Sequence, residues 1–435
     1  MEERNPNIPL RQSRPSHATL PHPVPTSFPI ACLEDHPLEK RYTHAKDIEK
    51  YIQKFQPDFR IRVEHFAAIL LVPLQDFDKG GLFELKRAPQ RIKARLDTIP
   101  PFCKHYMLHL NPSNRLDARW AHAKPEPVTK QPPLNDEMSY DEIILSMKYR
   151  SSFKTCLASE SPPTAEEEEV KCKKRDQNKC VLTGKPYNTS VFWFIPRGWN
   201  DTVQHNNATG NLQSGSMRLA KVPLLRDIHS ATQLRQTQKA WNMLCVDNDV
   251  YDLLVRGLCA FKFIGKEKLD GRFKVQLKFF WMPDLPGRFN QIMDLNVIKR
   301  CEPLNQPDGH TDFNYAKVRR ENIRELSVDL HVFQRSGCPQ SPSDRYKPSA
   351  NPNSSLKLMS GKDVYIEMSE RDSELFESVV KIHWACVTFT ALCGGAGRAW
   401  FMTGKNQVNG SLQPRDAEFK EEQRRRTQTA PVWRP

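Results

Sequence analysis

The sequence of 435 residues contains no long hydrophobic run. A membrane-spanning helix needs about 18 or more consecutive apolar residues. The longest apolar stretches fall short of this, because residues 66–74 include Pro73 and residues 382–397 include His383 and a glycine pair. No basic segment near the first residue is followed by an apolar stretch, so we expect no secretory signal. These absences predict that the protein has no membrane partner and is intracellular, either nuclear or cytoplasmic.

Cysteine pairs with the spacing of zinc ligands are also missing. The eleven cysteines are an odd number, and none forms a Cys-x-x-Cys motif. Cys172 and Cys180 bracket a basic turn, but their separation is not that of zinc ligands. A secreted domain held together by disulfides would contain a denser and even set of cysteines. We therefore expect free thiols in a reducing compartment.

Glycine is scarce, with 18 residues against 34 prolines. No Gly-rich phosphate loop precedes a predicted helix, since the glycine-rich residues 394–397 follow one. The sequence has no internal repeat either. It therefore gives no indication of a P-loop nucleotide site or of a repeat architecture.

What the sequence does have is an excess of positive charge, with 65 Lys and Arg against 51 Asp and Glu and a formal net charge of +14. Such a surplus favours polyanionic partners. Two basic clusters are the predicted nucleic-acid contacts: Lys86, Arg87, Arg91, Lys93 and Arg95 in the first, and Lys173, Lys174 and Arg175 in the second. The alternative for each cluster is a solvated surface without a ligand, and the acidic-to-basic order of residues 166–175 also suits a helix dipole.

Local patterns predict several helices and strands. Thr164 and Glu167 form a capping box at the start of a helix. Alternating apolar residues predict strands at 59–63 and 273–279, and the second of these is expected to pair with residues 259–263 in a hairpin. Apolar residues at alternating steps of four and three near residues 371–393 predict a long helix with one face in the core.

The segment from Arg175 to Gly184 reads Arg-Asp, a short spacer and Cys-Val-x-Thr-Gly. It resembles the opening of fungal HNH nuclease-domain proteins. Further landmarks of that family follow in the same order: Val191-Phe-Trp-Phe-Ile-Pro196, Asn242-Met-Leu-Cys-Val246, Tyr251, Gly257, Cys259-Ala-Phe-Lys262 and Phe279-Phe-Trp281. The resemblance covers about residues 175–283 and, more loosely, residues 360–400.

The resemblance implies an α+β protein with a ββα-metal (HNH-like) core, embedded in a larger mixed α/β chain with disordered termini. In such a core a strand pair and a helix clamp one divalent cation. A His at the end of the first strand takes a proton from the attacking water, and an Asn holds this His or its loop. A second His, on the helix, holds the metal that neutralises the scissile phosphate. The implied cofactor is Mg²⁺ or Mn²⁺ if the chain is active, and none otherwise.

Composition and the resemblance together divide the chain into seven segments. We predict a disordered proline-rich N-terminus, a mixed α/β region, an HNH nuclease-like domain, an extension, a linker, a C-terminal strand and helix that pack on the HNH-like domain, and a disordered basic tail. Their predicted bounds are 1–40, 41–150, 164–300, 301–335, 336–356, 357–402 and 403–435.

The sequence departs from the family pattern at two of the three signature positions. Asn242 is retained. Trp193 occupies the base position, and an indole has no acceptor nitrogen. Tyr251 occupies the metal-ligand position, and a phenol with a pKa near 10 is a poor ligand for a hard cation at neutral pH. Substitutes for the missing base and ligands are predicted at His205, Asp201, Asp227 and His229, where Asp201 and His205 are four residues apart and share a cation if their loop is helical.

The residues leave three functional interpretations. The first is a degenerate HNH-endonuclease-like protein that contacts DNA or RNA through its basic clusters and does not cut it. The second is an active divalent-metal-dependent endonuclease that uses the substitute ligands. The third is a structural or protein-interaction module that does not bind nucleic acid, and the sequence does not identify its protein partners.

Overall fold

The computed structural model describes residues 38–112, 164–224, 234–295 and 358–397, apart from residues 202, 284, 286 and 294. Within these ranges the chain has a mixed α/β fold, in which helices pack against two antiparallel sheets. The predicted basic tail, the extension at 301–335, the linker at 336–356 and all but the end of the predicted N-terminal segment lie outside the described residues.

Four helices form the N-terminal part: α1 (Leu38–Gln53), α2 (Val63–Leu71), α3 (Pro89–Asp97) and α4 (Ile99–Leu110). In α1 the side chains of Ala45, Ile48 and Ile52 recur at steps of three and four residues and are buried. Pro89 lies in the first turn of α3, where a missing N–H costs no intrahelical hydrogen bond. These helices pack against one another and supply part of the hydrophobic core.

The strand predicted at residues 59–63 does not form. Val63 begins α2 instead, and Arg62 makes only an isolated antiparallel bridge to Ile292. The side chains of Phe59, Ile61 and Val63 are all buried, so their alternation reflects burial of a turn rather than strand pairing. The part of region 41–150 that the structure describes is helical, and residues 38–112 contain no strand.

The next part of the chain contains a strand pair flanked by helices: α5 (Ala165–Arg175), β1 (Thr189–Trp193), α6 (Val203–Gly210), α7 (Gln213–Leu219), β2 (Met243–Asp247) and α8 (Asn248–Val255). The predicted capping box is confirmed, since Thr164 and Glu167 each bind the other's backbone N–H. β1 and β2 are antiparallel, with Trp193 opposite Met243.

The second sheet has the order β3 (Cys259–Leu269), β4 (Arg272–Trp281) and β5 (Lys362–Met368), with antiparallel neighbours. The predicted hairpin of β3 and β4 is confirmed. Gly271 has a φ of 72° in its two-residue turn, a conformation that glycine adopts without strain. From Asp363 onward, β5 alternates between buried and exposed side chains, because one face of the sheet covers the core and the other meets water.

Helix α9 (Glu370–Leu392) runs through the centre of the molecule and contacts α2, α4, β3 and the turn before β2. Its predicted core-facing stripe is confirmed, since Val379, Ile382 and Phe389 are fully buried. Among the described residues α9 is the one helix that is long and apolar enough to cross a membrane, but 72% of that stretch is buried inside the fold. Its apolar composition is therefore accounted for by its place in the core.

His383 lies in the middle of α9 and is fully buried. Its Nδ1 is 2.8 Å from the hydroxyl oxygen of Tyr106, and that hydroxyl donates to the carbonyl of Phe194 at 2.7 Å. Because a hydroxyl has a single proton to donate, Nδ1–H of His383 must be the donor to Tyr106. Burial lowers the pKa of His383 to about 3, so the ring is neutral in the folded protein.

We predict that His383 makes the stability of the fold depend on pH. The folded ring binds a proton only near pH 3, whereas the unfolded chain binds one near pH 6.5. Below pH 6.5 the unfolded state therefore holds more protons, and the free energy of unfolding falls by roughly 1 kcal/mol for each pH unit between about 6 and 4.

Denaturant unfolding of the unaltered chain and of His383→Phe, each at about pH 7 and about pH 5, measures this contribution. The variant should lose less stability on acidification than the unaltered chain does. Equal losses in the two proteins would contradict the assignment of this pH dependence to His383.

Candidate functional site

The strands β1 and β2 and the helix α8 form a strand–strand–helix unit in chain order. The side chain of Asp247 accepts from the amide of Asp249 at 3.0 Å, so α8 begins directly where β2 ends. The helix lies against β1, and the ring centroids of Tyr251 and Phe192 are 6.4 Å apart. This order of elements is the one that the resemblance implies. Element order alone does not make a metal centre, which also requires ligands.

Asn242 is fully buried and connects the two strands of this unit. Its Oδ1 accepts from the amide of Ile195 at 2.8 Å, and its Nδ2 donates to the carbonyls of Ile195 and Thr237 at 2.9 Å each. Its backbone carbonyl accepts from the amide of Phe194 at 2.9 Å. Asn242 therefore fixes the chain immediately after β1, beside the position where the family resemblance expects a catalytic base. We refer to these contacts as the Asn242 clamp.

Trp193 and Tyr251 do not face each other. Trp193 packs against the buried cluster that contains Cys172 of α5, on one face of the strand pair. The guanidinium of Arg197 lies 5.4 Å from the Trp193 ring centroid. Side chains alternate along a strand, so the neighbouring Phe192 points to the other face, where it meets Tyr251. The predicted base and ligand positions thus lie on opposite sides of β1, which corrects the expectation that they belong to one site.

The carboxylates of the strand–strand–helix unit, such as Asp247 and Asp249, do not form a group of three metal ligands. Burial raises the pKa of the Tyr251 phenol, which makes it a still poorer ligand at neutral pH. In the part of the chain that the structure describes, no group of three or more His, Cys, Asp or Glu side chains is arranged to hold a metal ion. The residues present in this unit therefore do not fit the Mg²⁺ or Mn²⁺ ion that the resemblance implies.

The substitutes Asp201 and His205 bind each other. Asp201 precedes α6 and His205 lies in its first turn. Nδ1 of His205 is 2.6 Å from Oδ1 of Asp201. The ring centroid of His205 is 6.4 Å from that of His109 on α4, so the pair lies next to the N-terminal helices. Asp227 and His229 lie outside the described residues.

Most side chains of the first basic cluster make contacts within the fold. Arg95 is buried and donates to a backbone carbonyl, and Arg87 donates to two glycine carbonyls of the preceding turn. Lys93 forms an ion pair of 2.6 Å with an aspartate of its own helix. Arg95 is therefore used inside the fold, whereas Lys86 is exposed and Arg91 is partly exposed. A nucleic-acid contact by this cluster stays a prediction.

Arg175 of the second cluster also has a structural role. Its guanidinium donates to the carboxylate of Asp176 at 2.7 and 2.9 Å and to the carbonyls of Ala240 and Met243 at 2.8 and 2.7 Å. The same carboxylate accepts from the amide of Cys245 at 2.8 Å. The pair ties the end of α5 to β2, which corrects the prediction that Arg175 contacts phosphate, because its donors are used inside the protein.

A cleft of about 1840 Å³ separates α5 and the turn after it from β5 and the first turns of α9. One wall, called the lysine wall, carries Lys171, Lys174 and Lys179 and, from the segment before β2, Lys239. Glu168 lies on the same wall and forms ion pairs with Lys171 at 2.9 Å and with Lys239 at 3.7 Å. The opposite wall carries Glu367, Glu374 and Glu377 together with Arg272 and Arg371. The sequence pointed to Lys174 but not to the cleft, because the two walls come from segments that meet only in the folded chain.

No protein-family model matches the chain, and neither a curated protein nor a solved structure matches it. Its function therefore has to be inferred from the contacts of its own residues.

We predict that Asn242→Ala lowers the free energy of unfolding by about 2–4 kcal/mol. The substitution leaves one buried amide and two buried carbonyls without their side-chain partner, and each such loss costs about 1–3 kcal/mol before the structure relaxes. Urea unfolding monitored by fluorescence measures the change.

Asn248→Ala is the matched control for this prediction. The side chain of Asn248 also makes hydrogen bonds, to Ser190 and Asn188, but it makes them at exposed positions where water can replace it. The control should therefore lose less than about 1 kcal/mol. A loss of the same size in both variants would show that Asn242 is not a clamp.

Proposed function

We propose that this chain is a degenerate HNH-endonuclease-like protein, which contacts nucleic acid and does not cut it at the strand–strand–helix unit. The observation that carries this proposal is the Asn242 clamp. The retained signature residue holds the chain after β1, while Trp193 and Tyr251 occupy the base and ligand positions. Loss of a general base alone costs about 10²–10⁴-fold in rate, and the lack of metal ligands lowers the rate further.

The lysine wall of the cleft is the proposed contact surface. Lys174 and Lys179 are exposed on it, and lysines attract phosphates without regard to sequence. Trp241 and the half-exposed Tyr365 also line the cleft, and aromatic rings in a basic groove stack on unpaired bases. The opposite wall carries charges of both signs, whereas Lys174 and Lys179 are exposed on the lysine wall. We therefore expect the nucleic-acid backbone to follow the lysine wall.

We predict that Lys174→Gln/Lys179→Gln weakens the binding of a fluorescently labelled single-stranded oligonucleotide. Each lysine that contacts a phosphate contributes about one counterion to the salt dependence. The slope of log affinity against log salt, measured by anisotropy between about 50 and 200 mM, should therefore become less steep by about one to two in the double variant.

Lys50→Gln/Lys79→Gln is the matched control, because both lysines are exposed in the N-terminal helical part, away from the cleft. It removes the same charge and should leave the slope nearly unchanged. A weak and flat salt response of the unaltered chain would overturn the nucleic-acid role and favour the interaction-module interpretation. Equal effects of the two double variants would overturn the assignment to the lysine wall.

An active endonuclease is the second candidate, and the hydrogen bond between Asp201 and His205 favours it. A carboxylate on Nδ1 orients an imidazole so that Nε2 can accept a proton, which is the task of a general base. Incubation of the protein with supercoiled plasmid in Mg²⁺ or Mn²⁺ tests this candidate. Nicking that EDTA and His205→Ala both abolish would establish it and overturn the degenerate interpretation.

A further inference from the structure

The cleft beside α5 runs along one edge of β5. Four consecutive residues of this strand, Tyr365 to Met368, line the cleft, although consecutive side chains of a strand point to opposite faces of the sheet. A cavity that touches all four therefore follows the strand edge and does not cover a single face. In the part of the chain that the structure describes, β5 pairs with β4 alone, so backbone N–H and C=O groups on its other edge point toward the cleft.

Tyr365 is the aromatic side chain that β5 exposes beside this edge. Ile366 and Met368 are buried in the core, whereas Tyr365 is 52% exposed on the outer face of the sheet. Trp241 also lines the cleft, but its indole packs against the hydrophobic core and is less exposed. Of the two rings, Tyr365 is therefore the more accessible to a planar ligand.

Contacts from β4 hold the Tyr365 side chain in place. Nζ of Lys274 lies 4.5 Å from the ring centroid, within the range of a cation–π interaction. Gln276 is the cross-strand neighbour of Tyr365, and its Nε2 donates to the phenol oxygen at 3.4 Å and to the carboxylate of Asp363 at 2.8 Å. A ligand that stacks on a ring already held by its neighbours loses little conformational entropy in ordering it.

We propose that Tyr365 is a stacking platform for an unpaired nucleobase, and that the cleft therefore selects single-stranded over double-stranded nucleic acid. This inference rests on the nucleic-acid role proposed above and specifies its substrate class. Stacking needs access to the face of a base, and inside a duplex both faces of each base are covered by its neighbours. Every base has such a face, so the platform accepts any sequence.

The lysine wall and Tyr365 have separable roles in this arrangement. Lys174 and Lys179 attract the phosphates of a single strand or of a duplex, and salt weakens that attraction. Stacking on one aromatic ring strengthens binding by about five- to hundredfold for each base. Because the tyrosine ring is uncharged and displaces no counterions, its contribution does not change the salt dependence.

Anisotropy titrations of the full-length chain with three labelled probes test the proposal: a single strand, the same strand annealed to its complement, and an abasic strand of equal length. Tyr365→Ala should weaken binding of the single strand by about five- to hundredfold, with an unchanged slope of log affinity against log salt. It should leave the affinities for the duplex and for the abasic strand unchanged. Tyr365→Phe keeps the ring and should retain the single-strand affinity.

Tyr187→Ala is the matched control, because Tyr187 is 68% exposed and does not line the cleft. It should leave all three affinities unchanged. Thermal unfolding of each variant confirms that it is folded, and the abasic strand tests the platform in the unaltered chain without any substitution.

Two kinds of failure are distinguishable. Equal binding of the single strand and the abasic strand, or a Tyr365→Ala variant that loses no single-strand affinity, would overturn the stacking platform and leave the lysine wall as the contact. A chain that binds none of the three probes would overturn the nucleic-acid role and the platform together.

Discussion

The strand pair β1–β2 consists of two strands of five residues each, and a strand pair of that size is not stable alone in water. The fold therefore depends on buried polar side chains that tie this pair to its surroundings. The Asn242 clamp joins the end of β1 to the start of β2, and the pair Arg175–Asp176 attaches α5 to β2. With the strands held in this way, α5 covers one face, and α8 and the core cover the other.

Some of the 65 Lys and Arg residues of the chain are used inside the fold and do not contribute to a binding surface. A buried guanidinium must be paired, since an unpaired buried charge is very costly. Arg175 and Arg95 satisfy this requirement through carboxylate and carbonyl oxygens. These hydrogen bonds lie inside the fold, whereas Lys174 and Lys179 of the cleft are exposed and can be reached by a polyanion.

Sequence patterns predicted those elements whose determinants are local: the capping box of α5, the alternation of β4 and the apolar stripe of α9. They failed at residues 59–63, because burial at a turn produces the same alternation as a strand. They also placed Trp193 and Tyr251 in one site, since a shift of one residue along a strand moves a side chain to the other face. The spacing of Asp201 and His205 predicted their proximity, but nothing local indicates that His109 joins them.

The pairing of β4 with β5 has a consequence for how the protein is made. β5 joins the sheet from far along the chain, and α9, which follows it directly, fills the centre of the core. During synthesis the β3–β4 hairpin therefore leaves the ribosome with an open edge and an uncovered apolar face. Pairings between distant segments form slowly, and a strand edge that is still unpaired promotes aggregation. Products that stop before residue 362 lack both the strand and the helix that close the core.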